Sequence, residues 1–206
     1  MAGKLVDTIA GRWKQRMTDL RALLTVWQKV ADLRRVLEPL INAGDDRTIT
    51  APGSSTFRDA YTAMRCAELL GGTEVCLGDD PPDAWVKLAG EIRALEITEV
   101  QRPGRKRGDE FKRDAALWES DPSRCLPIDP ADFLSATVFL GAIAEGSQKK
   151  TAIPYASETT LVIYANIRTW SDAWPAIEEG LGKAVSNAKA RYREIWVLWN
   201  CHVYRY

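Results

Sequence analysis

The stretch PPDAWVKLAGEIRALEITEVQRPGRKRGDEF occupies residues 81–111 and decides how the chain is organised. Two extended runs, AWVKLA and EIRALEITEVQ, are joined through Gly90, and this punctuation predicts a β-hairpin. A proline pair and Asp83 precede the first strand, and a basic loop follows the second. The acids along the hairpin are either solvated charges or ligands that two neighbouring strands bring together around a metal ion.

The segments around the hairpin alternate between helical and extended patterns. A helix is predicted over FRDAYTAMRCAELLGG, with Ser55 or Thr56 as its cap. A second helix is predicted over PADFLSATVFLGAIAEGSQKK, which begins at Pro130, and the buried strand TTLVIYANI follows it. A third helix from about Trp174 to Tyr192 leads into extended EIWVLWNCHVY. This order predicts an α/β sandwich around a mixed sheet.

The N-terminal segment is predicted to be an appendage at residues 1–44, separate from an α/β domain at residues 55–206. Residues 4–42 read as one long helix or two in tandem, because apolar residues recur there at intervals of three and four. The members of this stripe are Leu20, Leu23, Trp27, Val30 and Leu37. Two interpretations remain open: the stripe packs on the chain's own domain, which we favour, or it forms the seam of a homodimer.

The overall composition excludes several classes of function. Lys and Arg number 28, as do Asp and Glu, so no global field attracts nucleic acid or a membrane, and any polyanion site must be local. No run of eighteen apolar residues and no apolar leader is present, so we expect a soluble, cytoplasmic protein without a membrane partner. His202 is the single histidine, and the four cysteines lack zinc-site spacing.

Five residues of the hairpin have the chemistry of a divalent-metal site. Such a site needs two or three carboxylates close to one ion and a polar group to orient the attacking water. Asp83 opens the first strand. On the second strand, alternation places the candidate residues in two pairs, and the members of each pair share a face. These pairs are Glu96 with Thr98 and Glu99 with Gln101.

The motif PPD...EITEVQ and the order of elements together resemble the PD-(D/E)xK nuclease superfamily. The resemblance runs from about residue 55 to the C-terminus and leaves the N-terminal helix outside. It implies a restriction-endonuclease-like three-layer sandwich with a central mixed sheet. It also implies hydrolysis of phosphodiesters in nucleic acid with Mg²⁺ or Mn²⁺ as the cofactor.

The resemblance also implies a role for individual residues. Asp83 takes the first metal-ligand position and Glu99 the second, and Glu68 is the candidate for a further carboxylate from the preceding helix. Gln101 stands where the family usually has lysine. Glutamine can orient water through its amide but brings no positive charge. The alternative is therefore a catalytically silent protein of the same fold that binds nucleic acid or another protein.

A second assignment of the metal-binding pair stays open. A tight turn at Ala89 and Gly90 would bring Glu96 nearer to Asp83 than Glu99, which makes Glu96 and Thr98 the active pair. We prefer Glu99 with Gln101, because a hydroxyl replaces the lysine less well than an amide does.

Two further groups are candidates for contact with nucleic acid. The loop after the second strand supplies phosphate contacts or, alternatively, is a solvated loop whose charges pair internally. Its candidate residues are Arg102, Arg105, Lys106, Arg107 and Lys112. Four C-terminal tryptophans are able to stack on bases, although core positions are the commoner use of such residues. They are Trp170, Trp174, Trp196 and Trp199.

Overall fold

A mixed sheet of seven strands lies at the centre of the chain. The computed structural model describes residues 18–42, 55–79, 81–105, 130–151 and 156–206. Its strands are β1 Gln28–Lys29, β2 Glu74–Leu77, β3 Ala84–Leu88, β4 Glu91–Gln101, β5 Phe133–Leu134, β6 Thr159–Asn166, β7 Arg168–Thr169, β8 Glu194–Trp199 and β9 His202–Arg205. The large sheet has the order β1-β2-β3-β4-β6-β8-β9, and β5 with β7 forms a separate parallel pair.

The pairing mode changes twice along the sheet, at β4 and again between β8 and β9. β1 to β4 pair antiparallel, whereas β4, β6 and β8 are parallel and β9 returns antiparallel. Parallel neighbours need long crossovers, and helices lie within them. The described helices of the chain are α1 Val30–Asn42, α2 Ser55–Leu70, α3 Ala136–Lys149, α4 Trp174–Ala184 and α5 Ser186–Lys189.

Helices cover both faces of the sheet and give two separate cores. Val162 of β6 packs into the core that includes residues of α1 and α2. Its neighbours Leu161 and Ile163 pack into the opposite core with residues of α3, α4 and α5. This alternation follows from the period of two in a strand. The prediction of an α/β chain around a mixed sheet is therefore confirmed.

The N-terminal segment contributes to the first of these cores. Residues 18–24 are helical, β1 follows, and α1 begins directly after it. Leu24, Leu33 and Leu37 are buried in the same cluster as Phe57 of α2. Within the described residues the segment is thus two helices in tandem with a short strand between them. Leu20, Val30 and Leu37 of its apolar stripe pack on the chain's own domain, whereas Leu23 is exposed. The homodimer stays a prediction.

Local chemistry explains the boundaries that agree with the sequence. The β3–β4 hairpin turns at Ala89 and Gly90, both with positive φ, of 51° and 83°. Such a two-residue turn matches the twist of the flanking strands. α2 ends before Gly71, whose φ is 76°.

In the part of the chain that the structure describes, no helix is both long and apolar enough to span a bilayer.

Two predicted elements are divided in the structure. The helix predicted from Pro130 begins only at Ala136, after a 3-10 turn and β5, because Ser135 caps it by accepting a hydrogen bond from Val138 N. The predicted C-terminal strand is a hairpin of β8 and β9. Asn200, with φ of 52°, adopts the left-handed conformation between them, which asparagine tolerates better than most residues.

Candidate functional site

A tight turn positions Asp83 at the start of β3. Gly78 N donates to the carbonyl oxygen of Asp83 at 3.0 Å, which closes the turn. A Cβ at Gly78 would lie 1.8 Å from the carbonyl oxygen of Pro82, so the turn requires glycine. The Oδ2 atom of Asp83 accepts a hydrogen bond from Ile97 N at 2.7 Å. Asp83, directly before β3, therefore supplies the hydrogen-bond acceptor for a backbone N–H of β4.

The strand register places Glu96 nearer to Asp83 than Glu99. Ala84 pairs with Leu95, and the same register continued by one residue sets Asp83 beside Glu96. Glu99 lies three residues further along β4, about 10 Å away at the usual rise of a strand. The two-residue turn thus favours Glu96 with Thr98 over the preferred Glu99 with Gln101. Glu99 would meet Asp83 only in a longer or bulged hairpin.

Glu96 is buried and bound to a lysine from another element. Its side chain is 3% exposed, and Lys150 Nζ lies 2.5 Å from its Oε1 atom. Lys150 is the residue directly after α3, and Tyr192 Oη donates to its carbonyl oxygen. Sequence reasoning missed Lys150, although the basic pair at the end of a predicted helix marks it as a cation next to the sheet.

Asp59 is a third carboxylate of this neighbourhood and was also missed. Burial, followed by the nearby charge of Asp83, raises the pKa of Asp59 to about 7. Arg58 and Lys150 lower this pKa, and Glu96 raises it further. Asp59, the fifth residue of α2, therefore lies close enough to both acids of the hairpin for their charges to raise its pKa. We call Asp59, Asp83 and Glu96 the carboxylate cluster.

Glu99 belongs to a different set of contacts. Its Oε2 atom lies 3.3 Å from Arg58 Nε, and its Oε1 atom accepts from Asn166 Nδ2 at 2.9 Å. It lies three positions after Glu96, so the two glutamates point to opposite faces of β4. Gln101 pairs in register with Asn166. The predicted pair Glu99 and Gln101 is thus together on one face, while Glu96 faces α3.

Glu68 lies away from the carboxylate cluster. Its carboxylate pairs with Arg34 of α1 at 2.5 Å and with Arg65 of its own helix. Nine residues separate it from Asp59, or about 13 Å along the helix. The role of Glu68 as the further helix carboxylate stays a prediction, and Asp59 is the acid of α2 whose pKa the charge of Asp83 raises.

The basic loop is only partly described. Arg102 pairs with Asp132 at 2.8 Å, and Arg105 N donates to the carbonyl oxygen of Arg102 to form a turn. The candidates Lys106, Arg107 and Lys112 lie outside the described residues.

Of the four C-terminal tryptophans, Trp196 and Trp199 are buried, whereas Trp170 and Trp174 are exposed.

The described ranges contain no group of three or more His, Cys, Asp or Glu side chains that could hold a metal ion. Asp83 and Glu96 still offer two carboxylates, and Mg²⁺ is commonly held by one or two carboxylates together with water and substrate phosphates. By the chemistry of their side chains, these two residues are the ones that could act as ligands of Mg²⁺. Comparison with known proteins found no matching family model, no matching curated protein and no matching solved structure.

Proposed function

We propose that this chain is a metal-dependent phosphodiester hydrolase that acts on nucleic acid, with a restriction-endonuclease-like sandwich as its fold. The observation that carries the proposal is the position of Asp83 beside Glu96 at the β3–β4 hairpin, with Lys150 bound to Glu96. Buried like charges repel one another and are stabilised by a cation. The raised pKa of Asp59, which burial and then the charge of Asp83 cause, supports a functional site here, because perturbed carboxyl groups are concentrated at such sites.

Asp83 and Glu96 are the residues that would hold Mg²⁺ or Mn²⁺. When bound, the ion supplies charge stabilisation for the phosphate and the leaving oxygen. Ile97 N donates to Oδ2 of Asp83 and so orients this carboxylate beside β4. Each ligand is thus oriented by the fold before any substrate arrives.

Lys150 supplies the positive charge that Gln101 lacks. It reaches Glu96 from the end of α3 rather than from the strand. An ammonium group beside the ligand pair is able to orient water and to face a phosphate oxygen. The glutamine that weakened the resemblance is therefore compensated in our proposal by a lysine from another element.

A catalytically silent binding protein of the same fold is the second candidate. The observation that favours it is that the acids are already satisfied without a metal. Glu96 binds Lys150 and Glu99 binds Arg58. Ion pairs of this kind also occur in purely structural networks.

Cleavage assays on DNA and RNA with Mg²⁺, Mn²⁺ or EDTA separate the two candidates. The wild type should cleave only with metal, and Glu96→Gln should lose activity by on the order of 100-fold or more. Glu99→Gln should stay within a few-fold of wild type, as should the exposed control Glu145→Gln. A wild type that binds nucleic acid but never cleaves supports the silent protein. Loss in Glu99→Gln with retention in Glu96→Gln would reverse the assignment of the pair.

A further inference from the structure

An exposed tryptophan lies on an aromatic neighbour at one end of the sheet. Trp170 is 52% exposed, and its ring stacks on Phe133 with centroids 4.0 Å apart and an interplanar angle of 16°. The stack covers one face of the indole. With half of its surface open, Trp170 differs from Trp196 and Trp199, which are buried in the two cores.

The stack lies at the two-stranded sheet of β5 and β7, beside the carboxyl ends of the parallel strands. Phe133 of β5 pairs in register with Arg168 of β7, which begins two residues after β6 ends. Asp132, next to Phe133, binds Arg102, which directly follows β4. The crevice outside the carboxyl ends of the strands is where open α/β sheets bind their ligands.

Basic charge accompanies the aromatic surface. Arg168 is exposed and forms no ion pair with any described residue. Arg102 is partly exposed even though Asp132 binds it. An aromatic face with an arginine beside it matches a nucleotide, because a base stacks on the ring while the phosphate pairs with the guanidinium.

We propose that Trp170, Phe133 and Arg168 form a stacking platform that binds an unpaired base of single-stranded nucleic acid. The proposal rests on the proposed function in taking nucleic acid as the substrate. Single strands are favoured over duplexes because stacking on the indole needs a base whose face is free, and a duplex hides both faces of each base. The platform lies near the carboxyl end of β4, because Asp132 beside Phe133 binds Arg102, which is six residues and so about 20 Å along the chain from Glu96.

The platform is tested by binding in EDTA, so that cleavage plays no part. Fluorescence anisotropy of a short labelled oligothymidylate is compared with that of a duplex of equal length. Wild type should prefer the single strand. Trp170→Ala should weaken that binding about ten-fold, whereas Trp170→Phe should retain most of it. Thermal melting of both variants checks that they are folded.

Arginine variants test the phosphate contact separately. Arg168→Ala should weaken binding and lower the salt slope by about one. Arg191 is the matched control, because it is exposed and lies before β8, at the amino end of the parallel strands. Arg191→Ala should bind like wild type.

Several outcomes would overturn the platform. Equal affinity of wild type and folded Trp170→Ala would do so, as would an equal loss in Arg191→Ala or equal binding of duplex and single strand. Binding of a proline-rich peptide in place of any oligonucleotide would point instead to a protein partner. If the protein shows the expected binding pattern but does not cleave, the proposal of a hydrolase is contradicted and the platform is supported. The two proposals can therefore fail separately.

Discussion

Lys150 Nζ lies 2.5 Å from Glu96 Oε1, and this contact joins the residue after α3 to the middle of β4. Glu96 is almost completely buried, whereas Lys150 is one quarter exposed. Removing one partner of a buried ion pair leaves an uncompensated charge, and this usually costs more than the pair contributes. The contact therefore gives Lys150 a structural role that is separable from its proposed role in hydrolysis.

Lys150→Met should lower the free energy of unfolding by about 2 kcal/mol. The loss should be smaller than for a fully buried ion pair, because Lys150 is partly exposed to solvent. The matched control is Lys149→Met, whose partner Glu145 is exposed, and it should change stability little. The double variant Lys150→Met with Glu96→Gln should recover part of the loss, since no unpaired charge remains. Urea unfolding measures all three. Equal effects of the two lysine variants would contradict the pairing.

Asp83→Asn and Asp83→Ala should differ in stability but not in activity. Both remove the charge next to Asp59, while only the asparagine keeps an acceptor for Ile97 N. Asp83→Asn should therefore melt at or above the temperature of wild type without metal. Asp83→Ala should lose about 1 to 3 kcal/mol relative to Asp83→Asn, because a buried N–H stays unpaired. Both should lose metal-dependent cleavage. Identical melting of the two variants would count against the hydrogen bond.

The raised pKa of Asp59 predicts a pH dependence of stability. The folded value is about 7, against about 3.9 for an unfolded aspartate, so between these values the folded state binds more protons. The free energy of unfolding should therefore fall as pH rises from about 4 to about 7. Asp59→Asn should flatten this fall and exceed wild type above pH 7, by up to about 3 kcal/mol.

Asp32 provides the control for this experiment. It is an exposed helix residue that pairs with Arg35, so Asp32→Asn should follow the wild-type pH curve closely. Chemical denaturation over the pH range gives the three curves. Parallel curves for Asp59→Asn and wild type would show that neither burial nor the nearby acids raise the pKa of Asp59.

The packing of the N-terminal segment predicts that it is needed for folding. Leu33 is buried in the core with residues of α2 and β4, so Leu33→Ala should cost about 2 to 5 kcal/mol. Val36, on the exposed side of α1, is the control, and Val36→Ala should stay within about 0.5 kcal/mol of wild type. Thermal melting distinguishes them. A removable appendage would instead tolerate Leu33→Ala without loss.

Short-range chemistry made the main elements predictable from the sequence. The β3–β4 hairpin, α2 and β6 follow from strand alternation, capping residues and apolar runs, which act over a few neighbours. The same local rules identified Asp83 as the residue that opens β3. Where local signals were brief, as at Ser135 and Asn200, a cap or a left-handed residue moved or divided the predicted element.

The choice between the two acid pairs depended on register. Sequence alone left both Glu96 and Glu99 open, because the length of the hairpin turn sets which residue faces Asp83. A turn of two residues, Ala89 and Gly90, places Glu96 rather than Glu99 beside Asp83, while the role of either pair stays a prediction. A shift of one residue would reverse every side chain to the other face, so the identity of the pair could not be read from composition or spacing.

The sequence by itself determined the strands, the helix faces and the acids of the hairpin, because periodicity and turn chemistry are local properties of the chain. Only the tertiary structure decided which distant charges join those acids. Asp59 comes from α2 and Lys150 from the end of α3, 91 residues apart in the chain. Both helices pack against the sheet through long crossovers, and the position at which a helix end meets a strand depends on the packing of whole cores rather than on any short motif.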